Sequence, residues 1–174
     1  YESDNWVKLY KPLDEKKYKF QYLGTKAQGF IFGWKQLPVS GELLIITGGE
    51  KDVMTLAAKG FNAITLNSET ATLPKNIVDE LKLRFKTILV LYDNDETGLK
   101  QSNILAVAHG LHRLVLPTLQ NNGKDISDYF ANGETFEKFN ALLLTAIQSP
   151  APVELDIEKS VYNAVELLAR GEVE

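Results

Sequence analysis

Two hydrophobic patterns alternate along the chain between residues 41 and 148. Short unbroken apolar runs occur at residues 43–47, 63–66, 87–92 and 113–116, rich in leucine and β-branched residues, and they read as strands buried on both faces. Residues 51–59, 74–85 and 97–110 lie between them as longer, mixed segments of helical character. Gly60 is placed to stop the first helix and Pro74 to open the second. Strand and helix in alternation predict an α/β domain whose parallel sheet is covered on both faces. Residues 117–124 then read as a loop, followed by short helices over 126–131 and 136–148. Ser149-Pro150-Ala151-Pro152 breaks the pattern before one amphipathic helix over 157–169. At the front, residues 17–23 and 28–32 predict a hairpin about Gly24-Thr25-Lys26-Ala27, closed by Gly33.

Two of the strand ends carry acid. Gly48-Gly49-Glu50-Lys51-Asp52 follows the first apolar run, and Asp93-Asn94-Asp95-Glu96-Thr97-Gly98 follows the third. Ligands of open α/β sheets bind at the carboxyl ends of parallel strands, so these carboxylates stand where chemistry is expected. Asp93 and Asp95 are two residues apart. If strand geometry runs through them they project from one face, roughly 7 Å apart along the backbone, a spacing suited to one shared divalent metal.

The chain has 174 residues, 44% of them hydrophobic, enough for one full domain with extensions. Cysteine is absent, which excludes disulfides and thiolate metal sites and fits a reducing compartment. No run approaches the ~20 apolar residues needed to span a bilayer, and the first residues lack a secretory pattern. The expectation is a cytoplasmic protein with no membrane partner. Beginning at Tyr1 and ending on Gly171-Glu172-Val173-Glu174, it reads as a piece of a longer protein. The net charge of −4 argues against a surface that grips nucleic acid all over. Its distribution is uneven, however: Lys8, Lys11, Lys16, Lys17, Lys19, Lys26 and Lys35 crowd the front segment, while acids gather in residues 42–52 and 93–96 and after Glu154. A basic arm facing an acidic centre would let a divalent metal bridge carboxylates to a phosphate.

The order strand, G-G-E-K-D, strand, D-N-D-E-T-G, then Gly123-Lys124-Asp125-Ile126-Ser127-Asp128 resembles the Toprim domain shared by bacterial-type primases, topoisomerases and some nucleases. Asp93, Asp95, Gly98, Lys124 and Asp125 match the family's Asp-x-Asp, glycine and primase-type Lys-Asp positions. Asp52 matches the last residue of its Glu-Gly-x-x-Asp first motif. The match departs at Gly48, which aligns with the family's glutamate; Glu50 replaces that carboxylate only if the glycine turn redirects it. Val7-Lys8-Leu9-Tyr10-Lys11-Pro12, the basic residues 16–20 and Phe30-Ile31-Phe32-Gly33 look like the end of the small lobe that precedes Toprim in phage-type primase-helicases and their mitochondrial relatives. The resemblance spans residues 7–148. It implies a Toprim-like Rossmannoid α/β fold preceded by a small β-hairpin segment, with residues 1–40 ending the small primase lobe, 41–148 forming the Toprim domain and 149–174 a linker or the start of a further module.

For function, the resemblance implies a DNA primase catalytic core: Mg²⁺- or Mn²⁺-dependent synthesis of RNA primers from ribonucleoside triphosphates on single-stranded DNA. Such a core would serve replication or a mobile element, fused to or associated with a replicative helicase. The chain itself has no cysteines for zinc and no G-x-x-x-x-G-K-[ST] loop. Nucleotide addition needs an activated 3′-hydroxyl and a neutralised pyrophosphate, which carboxylate-held metal ions supply. Asp93, Asp95 and Glu50 are the expected catalytic residues and, with Asp125, the expected metal ligands. Lys8, Lys17, Lys19 and Lys124 are the expected contacts to nucleotide or DNA. Each has a plainer alternative: Asp95 and Asp125 as helix caps, Glu50 as a first-turn acid, the lysines as a solvated face. His109 and His112 have metal-like spacing beside a helix-to-strand boundary, and Trp6, Trp34 and Tyr22 either stack on bases or pack the front segment on the sheet. Competing functions are a Toprim nuclease or topoisomerase, and a catalytically impaired nucleic-acid-binding module in which Gly48 marks lost chemistry.

Overall fold

The computed structural model describes residues 6–11, 13–15, 18–25 and 29–151, with the backbone of residues 2–3. Lys17, the expected helix over 157–169, and all of the expected 149–174 segment past Ala151 lie outside the described residues.

Three short strands form the front sheet: β1 (Glu2–Ser3), β2 (Trp6–Tyr10) and β3 (Phe20–Gly24), antiparallel in the order β1-β2-β3. The chain then alternates through β4 (Gly41–Thr47), α1 (Glu50–Ala58), β5 (Asn62–Thr65), α2 (Lys75–Arg84), β6 (Phe85–Leu91), α3 (Glu96–His109) and β7 (His112–Arg113). Helices α4 (Ile126–Ala131) and α5 (Phe136–Gln148) follow. The four later strands make one parallel sheet in the order β5-β4-β6-β7. This is the α/β sheet with helices on both faces that the alternating pattern predicts.

Successive side chains of a strand point to opposite faces, which explains why the apolar runs are unbroken. Leu44, Ile46, Ile88 and Val90 enter the layer shared with Val78 and Leu81 of α2 and Leu105 of α3. Ile45, Leu89 and Leu91 enter the opposite layer, with Val53 and Leu56 of α1, Tyr129 of α4 and Phe139 of α5. The strand expected over 113–116 is shorter, since pairing with β6 covers only His112 and Arg113. Leu114 still donates its N–H to Val90 O (3.0 Å), and Leu116 O accepts from Asn94 Nδ2 (2.8 Å), so this stretch is tied to the sheet without extending its ladder.

The front segment pairs differently from the expectation. Phe20–Gly24 lies against Trp6–Tyr10, and not against the described residues 29–32, with Lys8 opposite Tyr22 and Tyr10 opposite Phe20. Aromatic cross-strand neighbours favour this register: the Tyr10 and Phe20 rings stack at 5.1 Å, and Trp6 meets Tyr22 at 6.0 Å and Phe30 at 4.9 Å. Phe32 is meanwhile used elsewhere, exchanging both backbone hydrogen bonds with Thr65 (2.9 and 3.1 Å) at the free edge of β5. Gly33, at φ 89°, turns the chain away immediately afterwards, and a Cβ there would sit 2.6 Å from Ala63 O.

A buried ion pair joins the front sheet to α1. Lys8 Nζ lies 2.6 Å from both oxygens of Glu50, and the two side chains are 9% and 11% exposed. Removing one partner of such a pair leaves the other charge desolvated, a loss of about 3–5 kcal/mol, whereas replacing both by apolar groups is close to neutral. Urea unfolding is therefore expected to show Lys8→Met strongly destabilised and Lys8→Met with Glu50→Met largely recovered; equal stability of Lys8→Met and wild type would contradict the pairing.

Candidate metal centre

The parallel ladder sets Thr47 of β4 opposite Leu91 of β6, so the two acid-bearing turns leave the sheet side by side. After Thr47 the chain passes through Gly48 and Gly49 into α1, whose first turn carries Glu50 and Asp52. After Leu91 it passes through Tyr92 and Asp93 into α3, with Asp95 as N-cap accepting from Gly98 N at 2.9 Å. Gly98 has no room for a side chain, because a Cβ would overlap the carbonyl oxygen of Asp93. Asp125 arrives at the start of α4, where it accepts from Asp128 N at 2.7 Å, and Asn94 N bonds to Lys124 O at 2.7 Å to hold that loop over the end of β6.

These elements bring carboxylate oxygens of Asp52, Asp93 and Asp125 within 4.8 Å of one another. The donors are hard oxygens, and among the described residues no histidine joins them, a set suited to Mg²⁺ or Mn²⁺. The triad opens into a cavity of about 300 Å³, rimmed on its other side by Tyr10, Phe20 and Glu69. Two lysines partly neutralise the acids. Lys124 Nζ bridges Asp93 (2.6 Å) and Asp95 (2.7 Å); burial works against its charge, but these carboxylates outweigh it and hold the ammonium above its usual range. Lys51 lies 2.7 Å from Asp125 and 3.6 Å from Asp128, and is likewise raised, its burial outweighed chiefly by Asp125.

Of the residues picked from the sequence, Asp93 and Asp125 enter the triad, with Asp125 capping α4 as well. Asp95 stands at its edge, and its carboxyl is held below the ordinary range by the Gly98 N–H and then by Lys124. Glu50 lines the cavity but gives both oxygens to Lys8. Lys8 is correspondingly buried instead of lying on an open basic arm. Lys19 is half-buried beside β3, and its backbone O accepts from Lys11 N at 2.8 Å. His109 ends α3, at the far end of that helix from Asp95. Trp6 is buried and Trp34 packs under Arg84 (5.3 Å), so both serve packing.

Two further acids stand at the site, Asp52 and Glu69. Asp52 was legible as the last residue of the first motif, but its place in a helix first turn gave no sign that it would be buried at 3% exposure against the other two aspartates. It is pushed up to about 7, first by burial and then by Asp125, against the opposing bond from Ser127 Oγ (2.7 Å). Glu69 sits in the loop after β5 with no periodic or motif signal. Burial, then Asp93 and Asp95, push its carboxyl up to about 7.

Residues 45–130 match the Toprim-like family model. The chain superposes on the primase fragment of the bacteriophage T7 primase-helicase protein with a TM-score of 0.54 and 26% identity, over 72% of this chain and 54% of that one. The E. coli primase catalytic core gives a TM-score of 0.56 at 20% identity, over 77% and 46%. A DnaG primase catalytic domain bound to single-stranded DNA gives 0.58 at 18%, over 81% and 52%. The chain spans about half the length of each of these three structures. No curated protein sequence matches it.

Asp52 and Glu69, both raised, hold protons in the folded chain where the unfolded chain has already lost them. The folded state then binds more protons between about pH 4 and about pH 7, so stability is greatest below this window and falls as pH rises through it. Thermal melts in metal-free buffer are expected to drop from about pH 5 to about pH 8 and to drop less for Asp52→Asn. Melting temperatures that rise over that range would contradict the assignment.

Proposed function

We propose, for a chain whose residues 45–130 are Toprim-like and whose fold is that of the DnaG and T7 primase cores, that it is the catalytic-core fragment of a DNA primase making RNA primers on single-stranded DNA. The observation that carries the reading is the convergence of Asp52, Asp93 and Asp125 at the carboxyl edge of adjacent parallel strands. In this reading residues 1–40 end a small lobe, 41–148 form the Toprim unit, and 149–174 lead to a further module, with a replicative helicase as partner and the cytoplasm as the place of work. Among the described residues no helix is long and apolar enough to cross a membrane.

Asp52, Asp93 and Asp125 would hold Mg²⁺ or Mn²⁺, with Asp95 steering Lys124 beside them. The ion would lower the pKa of a primer 3′-hydroxyl and neutralise the pyrophosphate that leaves. Lys124, half-exposed at the rim, brings its ammonium to incoming triphosphate oxygens, and Lys51 flanks the other side. Exposed Tyr10, 41% accessible and stacked on Phe20, borders the same cavity and is the aromatic side chain placed to meet a base there. Lys19 and Lys17, on the segment leading into β3, supply further phosphate contacts along the template.

Titrating Mn²⁺ into the 174-residue chain by calorimetry tests the centre. Asp93→Asn is expected to weaken binding at least about tenfold, because the remaining acids cannot offset the cost of stripping water from the ion. Ribonucleotide incorporation on a single-stranded DNA template should fall in parallel. Undiminished Mn²⁺ affinity in Asp93→Asn would refute the metal assignment. Incorporation that is absent from wild type at every Mg²⁺ and Mn²⁺ concentration would turn the reading toward a nucleic-acid-binding module.

A further inference from the structure

Gly48 is not a glycine for the sake of its backbone. It is absent from the positive-φ glycines, so an L-residue could take its conformation. What a side chain there would meet is another side chain: an ideal Cβ on residue 48 would lie 2.6 Å from Glu69 Oε1 and 3.2 Å from Asp93 Oδ1, so the Glu69 carboxylate would have to shift. The first of these is closer than real Cβ contacts allow. Glu69 therefore occupies the space that a residue-48 side chain would need, and its carboxylate converges with that of Asp93 on that point.

The topology makes this reach possible. β5 and β6 flank β4 in the sheet, so a side chain from the loop after β5 must cross the end of β4 to meet Asp93. The bare backbone of Gly48 leaves that crossing open, and the Asp93 N–H donates to the Glu69 carboxylate at its far side. For the fold alone, this placement is unfavourable. A half-buried carboxylate is set close against that of Asp93, while the nearest lysines are committed, Lys124 to Asp93 and Asp95 and Lys51 to Asp125 and Asp128. A glutamine of the same shape would avoid the repulsion. An acid is favoured there when a cation sits among the carboxylates.

We propose that Glu69 is a further carboxylate of the metal centre, delivered from the β5–α2 loop through the gap at Gly48, and that the two positions are a matched pair: one bare, the other acidic. This rests on the metal reading of the preceding subsection. Mn²⁺ binding to the 174-residue chain separates the two ideas. Glu69→Gln is expected to lose about tenfold in affinity. Gly48→Ala, whose methyl forces the flexible end of Glu69 to shift while leaving every acid in the sequence, should lose a smaller factor. Gly48→Glu combined with Glu69→Ser should regain most of it, because the carboxylate then enters from β4. If Glu69→Gln binds like wild type while Asp93→Asn does not, the inference fails and the metal centre stands. If Asp93→Asn also binds like wild type, the metal reading fails and takes the inference with it. Thermal melts accompany each variant; should Glu69→Gln not fold, a folded double variant that binds no better than Gly48→Ala overturns the proposal.

Discussion

The in-register parallel ladder of β4 and β6 decides where everything else can stand. Thr47 and Leu91 are partners, so the strands end level and their turns leave on the same side. Had the register slipped by one residue, Leu44, Ile45, Leu89 and Val90 would exchange layers and lose the neighbours against which each now packs at almost zero exposure. The core thus enforces the register, and the register places Asp52 and Asp93 next to each other. The site inherits its geometry from hydrophobic packing some distance below it.

Against that rigid base, the centre itself is a region of unfavourable electrostatics. Asp52 is almost fully buried beside two other aspartates, and Glu69 is pressed toward Asp93. Neighbouring lysines relieve part of the strain, Lys124 across Asp93 and Asp95 and Lys51 on Asp125. Local arrangements that conflict with stability while the rest of the chain is consistent with its fold are the mark of positions kept for function.

The parallel sheet was legible because its strands and helices are long enough for periodicity to separate them, and because both faces are buried. Asp93 and Asp125 were legible because they close recognisable strand-to-helix turns. The front pairing was not: residues 28–32 look as strand-like as β2, and nothing local says that Phe32 will bridge to Thr65 instead. Lys8 and Glu50 each read as solvent-facing charges, since their burial arises only when the front sheet closes over α1. Glu69 carried no signal at all, because its position depends on Gly48, twenty-one residues earlier and just past the end of a neighbouring strand.

The Lys8–Glu50 pair also makes the front sheet and the carboxylate pocket a single lever. Glu50 opens the same helical turn that carries Asp52, and Lys8 belongs to the strand whose Tyr10 overhangs the cavity. Any shift of the aromatic face of β2 and β3 is therefore transmitted to the turn that aims Asp52. By reciprocity, whatever shifts Asp52 biases how the front sheet is seated. The seating of the front sheet and the aim of Asp52 are thereby fixed by one contact.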